Sequence, residues 1–142
     1  LRRDITRMIR MKKPDIVVTL DPMRWYGDFG INHPDHRAIG AATLEAVFPT
    51  ARDRLNFIEQ ERDEGLEVHK TLKVYIAGAS SPNLSFDVTD SIETKIRSLY
   101  EHKSQIADME AMAERIRERS LDPLAPTEYP RYIERFHVIN LR

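Results

Sequence analysis

An α/β fold with a parallel sheet is what the sequence predicts, and three stretches carry the prediction. Leu1, Ile5, Met8 and Ile9 recur at helical spacing. After Pro14-Asp15 comes Ile16-Val17-Val18-Thr19-Leu20, a short β-branched run that is almost wholly apolar. That is the pattern of a strand buried on both faces in the interior of a parallel sheet. A loop then leads to His33-Pro34-Asp35-His36 and a helix rich in small residues. A helix, a buried strand and a second helix in that order are α/β grammar.

Taken in order, the first helix should end near Met11, with Arg2, Arg3, Arg7 and Arg10 largely off its apolar stripe. Those arginines read as a solvated face, with phosphate binding as the alternative. Pro14 to Leu20 is the interior strand. Asp21 to Asn32 follows its C-terminal end, where open α/β sheets place their ligands. In that loop Trp25, Tyr26 and Phe29 either stack on a ligand such as a sugar or anchor the loop in the core, and Asp28 is either a ligand or a turn former.

His33 to Phe48 should be a helix whose Ala38, Gly40, Ala41, Ala42 and Ala46 permit close packing on the sheet, ended by Pro49. The polar stretch 52–64 has only a weak stripe of Leu55, Phe57 and Ile58, enough for a short helix or an excursion. Past Gly65, His69 reads as an exposed structural residue. Leu72, Val74 and Ile76 alternate with Lys73 and Tyr75, a strand over 72–77. Phe86-Asp87-Val88 is a second short strand. Asp90 or Ser91 then caps one long helix with an apolar seam of Ile92, Ile96, Leu99, Ile106, Met109, Ala113 and Ile116. His102, within it, reads as a packing or hydrogen-bonding residue rather than one that orients a substrate. Asp122 to Pro130 is a proline-rich loop, and Tyr132, Phe136, Val138 and Ile139 form a closing segment, helix turning into strand.

The 142 residues are one domain's worth. A formal net charge of -1 argues against a nucleic-acid or anionic-membrane surface, both of which favour excess Lys and Arg. No apolar run approaches the ~20 residues of a membrane-spanning helix. No signal peptide is visible, so a cytoplasmic location is the expectation. Cys is absent, which removes disulfides and cysteine-based metal sites.

The chemistry concentrates in Asn32-His33-Pro34-Asp35-His36. Pro34 suits the first turn of a helix, where its missing N–H costs nothing. Asn32 or His33 is then the N-cap, with Asp35 against the positive end of the helix dipole. Residues three apart on a helix share a face, so His33 and His36 can address one small volume. Two imidazoles there suit a zinc site or an acid–base site, although the pattern supplies at most two ligands and neighbouring histidines are often mere capping residues.

Together with Pro14–Thr19 and the small-residue helix, this motif resembles the second half of the LmbE-like (PIG-L) zinc deacetylases. Asp87-Val88-Thr89-Asp90, Lys95, His102-Lys103-Ser104-Gln105 and Tyr132-Ile133-Glu134-Arg135-Phe136 resemble their downstream pattern. The resemblance implies a three-layer Rossmann-like sandwich with a mostly parallel sheet. It also implies hydrolysis of an N-acetyl amide on an N-acetylglucosamine-type substrate, with Zn(2+) as cofactor. It makes His36 a metal ligand, His33 the catalytic group that stabilises the oxyanion and assists the departing amine, and Asp35 the residue that holds His33 by a hydrogen bond. The family's other motif, Ala-His-Pro-Asp-Asp, which supplies two ligands and the general base, is absent here. Some relatives carry a Tyr two residues before the first histidine, where this chain has Ile31.

Residues 1–142 are therefore expected to be the C-terminal portion of a single deacetylase domain lacking its N-terminal strands. The expected partners are a small N-acetylated amino-sugar conjugate and either the missing half or further copies of the chain. Two other functions remain open: an association module on the same fold, and a metal-dependent hydrolase of another bond, such as a phosphoester.

Overall fold

In a computed structural model, residues 1–27 and 30–141 are described. The expectations attached to Asp28 and Phe29 lie outside them. The elements are α1 (Arg2–Lys12), β1 (Ile16–Leu20), β2 (Tyr26–Gly27), β3 (Gly30–Ile31), α2 (Pro34–Val47), α3 (Ile58–Arg62), β4 (Lys73–Ala77), β5 (Leu84–Asp87), α4 (Ile92–Leu99), α5 (Met109–Ser120) and β6 (Ile133–Asn140). The α/β class stands. The chain divides into two units, Leu1–Leu84 with Phe136–Arg142 and Ser85–Arg135.

In the first unit β1 pairs in parallel with β4, Ile16 opposite Lys73 through Leu20 opposite Ala77. On its other side β4 pairs antiparallel with β6, from Lys73 opposite Asn140 to Ala77 opposite Phe136. The sheet is thus mixed. The core joins both helices to the strands: Ile9 of α1, Ala46 and Val47 of α2, Ala51, and Val74 and Ile76 of β4, with Val17 and Ile139 packed against them.

Four expectations need correction here. β1 is a parallel strand, but it stands at the end of the strand order, and its outer edge has no partner among the described residues. Val18 is 61 % exposed and Ile16 is also exposed. An apolar β-branched run reports a preference for burial, and what covers each face depends on neighbouring layers that the run itself does not encode.

The second correction concerns Arg10, which is 1 % exposed rather than part of a solvated face. Its guanidinium donates to the carbonyls of Thr50, Ala51, Asp53, Asn56 and Phe57 and to Oε1 of Gln60. The fork geometry of Arg lets one side chain satisfy an irregular run of backbone acceptors that would otherwise be buried without donors. Burial lowers its pKa, while Glu61, Asp53 and Glu59 act in the opposite sense. Buried Gln60 completes the clasp by donating from Nε2 to the carbonyl of Arg3, at 3.0 Å.

Third, the seam from Ile92 to Ile116 is broken. α4 ends at Leu99, and α5 begins at Met109 after Asp108 accepts the backbone N–H of Ala111 at 2.9 Å. An acceptor side chain at this position starts a helix better than it continues one. Ile92, Ile96 and Ala113 still share a small core with Tyr100, Ile116 and Tyr132 in the second unit. Fourth, the closing segment, expected to begin as helix, is strand from Ile133 onward.

Replacing Arg10 by Met strips the donor from several buried carbonyls. R10M should lower the unfolding free energy by about 3 kcal/mol or more, the scale of removing one partner from a buried charged network. Denaturant unfolding of the full-length protein checks this, with R2M, on the exposed side of the same helix, as the control expected to change little.

Candidate active site

β1 delivers the chain to the site and α2 carries the site away. The two meet closely: a Cβ on Gly40 would stand 2.4 Å from the carbonyl oxygen of Leu20 and 3.1 Å from the nitrogen of Pro22. Both are backbone atoms, so any larger residue at position 40 must move the helix or the strand end. This sets α2, and the histidines at its start, against the C-terminal end of β1. Asp21 is fixed there too, its N–H donating to the carbonyl of Ala77 at 3.2 Å.

His33 is the N-cap of α2, and Pro34 follows in the first turn. The His33 Nδ1 accepts the backbone N–H of Asp35 at 3.2 Å. The Asp35 carboxylate is 86 % exposed and lies 3.6 Å from the same nitrogen, outside hydrogen-bond range. In this structure, then, Asp35 holds His33 through its main chain rather than its carboxylate. An Nδ1 that accepts a hydrogen bond carries no proton, so the neutral ring keeps its proton on Nε2.

His36 has the opposite arrangement. Its Nδ1 stands 2.9 Å from Oδ1 of Asn32, an amide oxygen that can only accept. The His36 proton therefore sits on Nδ1, and Nε2 keeps a free lone pair. The two imidazole centroids are 5.8 Å apart with planes tilted by 53°.

Asn32 is held at every polar atom. Its N–H donates to the carbonyl of Trp25 at 2.9 Å, its Nδ2 to the carbonyl of Arg24 at 2.8 Å, and its carbonyl accepts from Nη1 of Arg37 at 2.8 Å. The Trp25–Asn32 rung extends the β2–β3 hairpin, in which Tyr26 faces Ile31 and Gly27 faces Gly30. Arg37 also places its guanidinium 3.9 Å from the centroid of the Trp25 ring. Trp25 is 60 % exposed and Tyr26 more so. Neither anchors the loop in the core; hydrogen bonds within the loop and from Arg37 hold its shape.

The other histidines are engaged elsewhere. His69 is half-buried and donates from Nε2 to the carbonyl of Pro14 at 2.8 Å; His137 donates from Nδ1 to the carbonyl of Ser81 at 2.7 Å. His102 is exposed in the turn after α4. Among the described residues no group of three or more His, Asp or Glu side chains is placed to hold a metal.

The Asp87–Asp90 motif stitches the second unit together. The Asp87 Oδ1 accepts the N–H of Thr89 at 3.0 Å, which holds its carboxyl below the usual carboxylate range. The Thr89 hydroxyl accepts the N–H of Tyr132, and Lys95 pairs with Glu134.

Sequence reasoning singled out His33, Asp35 and His36 and named Gly40 among the residues that permit close packing, but it read Asn32 only as a cap candidate and gave Arg37 no role. Asn32 stands four residues before His36, a spacing that signals a shared helical face. Arg37 left no such signal, because it meets a backbone carbonyl and the face of a ring in the preceding loop.

No family model matches the chain. A curated relative, "Diacetylchitobiose deacetylase" of Thermococcus kodakarensis, is 32% identical over 108 residues, which is 76% of this chain and 38% of the relative. Among solved structures, N,N'-diacetylchitobiose deacetylase from Pyrococcus horikoshii in complex with its inhibitor MPG matches with a TM-score of 0.80 at 28% identity. That match covers 98% of this chain and 51% of the other. Both of these relatives are diacetylchitobiose deacetylases. The chain spans between about a third and a half of their lengths.

Removing the Asn32 acceptor should free the His36 ring. In N32A, nitrogen-15 NMR of the full-length protein, with all metal removed, should show His36 passing from a single Nδ1–H tautomer to a mixture, with the fold kept. An unchanged tautomer would mean that something else holds the ring.

Proposed function

We propose that the protein to which this chain belongs is a zinc-dependent N-deacetylase of N-acetylglucosamine-type substrates. Residues 1–142 would form the C-terminal portion of its domain and carry the His-Pro-Asp-His half of the site. The observation that carries this reading is His36: its Nδ1 is held by Asn32 and its Nε2 lone pair is free. A metal-binding imidazole almost always has this outer partner on its second nitrogen. Kinship with diacetylchitobiose deacetylases supplies the substrate class.

The donor set fits zinc in part. His36 offers one suitable nitrogen, and a catalytic zinc takes about three protein ligands, so the others would come from beyond residues 1–142. When bound, zinc supplies an activated water and polarises the amide carbonyl.

The rest falls to this chain. With Nδ1 engaged by the Asp35 N–H, His33 can donate from Nε2 to a developing oxyanion. Protonation of the ring turns Nδ1 into a donor, which must give up the N–H cap. The Asp35 carboxylate, 3.6 Å away, is the acceptor it would meet. From that state Nε2 can hand its proton to the departing amine while Nδ1–H stays on Asp35. A cytoplasmic setting, and completion by the missing half or by oligomerisation, belong to the same proposal. An association module is the second reading, favoured by the open edge of β1 and exposed Val18.

Two substitutions in the full-length protein separate the roles. H36A should lose most bound zinc, read by metal analysis, and activity with it. H33A should keep its zinc and slow turnover by about 10²-fold, the scale of one acid or oxyanion group. Full zinc in H36A would remove the ligand assignment, and undiminished turnover in H33A would remove the acid assignment.

A further inference from the structure

We infer that Trp25 is a stacking platform for a pyranose ring of the substrate, held rigid from behind by Arg37. The inference rests on the deacetylase reading above and deepens it by naming the residue that would read the sugar.

Trp25 is the one tryptophan of the chain, and it stands 60 % exposed at the root of the β2–β3 hairpin. It is exposed together with Met23, Tyr26 and Ile31, the last two paired across the hairpin, and a group of exposed apolar side chains on one segment marks a binding surface more than a packing element. Its backbone is not free to wander. The Trp25 carbonyl accepts from the N–H of Asn32, the residue whose side chain holds His36. The ring therefore belongs to the same hydrogen-bonded segment as the reacting histidines.

The ring itself is held as well. Arg37 lies 3.9 Å from its centroid, and that guanidinium is tied to the Asn32 carbonyl at 2.8 Å. A cation over one face fixes the ring by attraction to its quadrupole. The opposite face of an aromatic ring attracts C–H groups made slightly positive by neighbouring oxygens, which line the apolar face of a pyranose. A ring already immobilised loses little freedom on binding, so the stacking contributes to affinity with a small entropic cost. Trp25 would then govern substrate binding, and the histidines turnover.

The test uses the full-length protein, N,N'-diacetylchitobiose as the probe, and two readouts. In steady-state kinetics W25A should raise KM about tenfold and leave kcat within about twofold, whereas W25F, which keeps an aromatic face, should stay within about threefold of the parent KM. An unchanged KM in W25A overturns the inference, as does a fall in kcat alone. The second readout is independent of catalysis. Binding of the disaccharide to the metal-free protein should shift the tryptophan fluorescence of the parent, and the contribution of Trp25, read as the parent-minus-W25F difference, should carry that shift. If the protein deacetylates no amino sugar, the deacetylase reading fails, and fluorescence still decides this one: a Trp25-dependent shift supports it and no shift overturns it. If W25A does not fold, the comparison of the parent with W25F decides alone.

Discussion

The tightest approach at any glycine of the chain is between two stretches of backbone. With no side chain at Gly40, α2 can lie against the last residue of β1 so tightly that a Cβ would meet the Leu20 carbonyl at 2.4 Å. Neither partner is a flexible side chain that could swing away. The orientation of α2 follows from this contact, and with it the positions of His33 as cap and His36 one turn on. Close backbone approach is the use of glycine that no other residue can replace.

A second layer of polar restraint works outward from there. Asn32, Arg37, Trp25 and Arg24 form a closed set of hydrogen bonds and one cation–ring contact in the loop that precedes α2. Asn32 leaves His36 protonated at Nδ1, and the Asp35 N–H leaves neutral His33 protonated at Nε2, opposite tautomers within one motif. One ring is left with a free lone pair and the other with a proton, the pairing that a ligand and a donor require. Away from the site Arg10 plays a comparable part, joining α1 to the irregular segment 50–57 through buried carbonyls. In both places a polar side chain organises a short connecting segment between longer elements.

What could be read in the sequence was what repeats or clusters. The spacing in α1, the β-branched run of β1, the alternation of β4, and Pro34 after a capping histidine all appear where periodicity and capping chemistry put them. What could not be read depends on partners distant in the chain. Nothing in the spacing of Arg10 distinguishes it from Arg7, yet one is buried and the other is exposed. The seam of α4 and α5 kept its apolar period across a break that Asp108 imposes by a local hydrogen bond. The apolar run of β1 predicts an interior strand, yet its outer edge has no partner among the described residues. In the candidate site, the motif showed both histidines and concealed the part of Asn32, which holds the His36 ring.

The account is tested most directly by a crystal structure of the full-length protein loaded with zinc. It predicts Nε2 of His36 at about 2.0–2.1 Å from the metal, the usual zinc–imidazole distance, with His36 Nδ1 still hydrogen-bonded to Asn32. Zinc bound without His36, or bound through Nδ1 with Asn32 released, would contradict it.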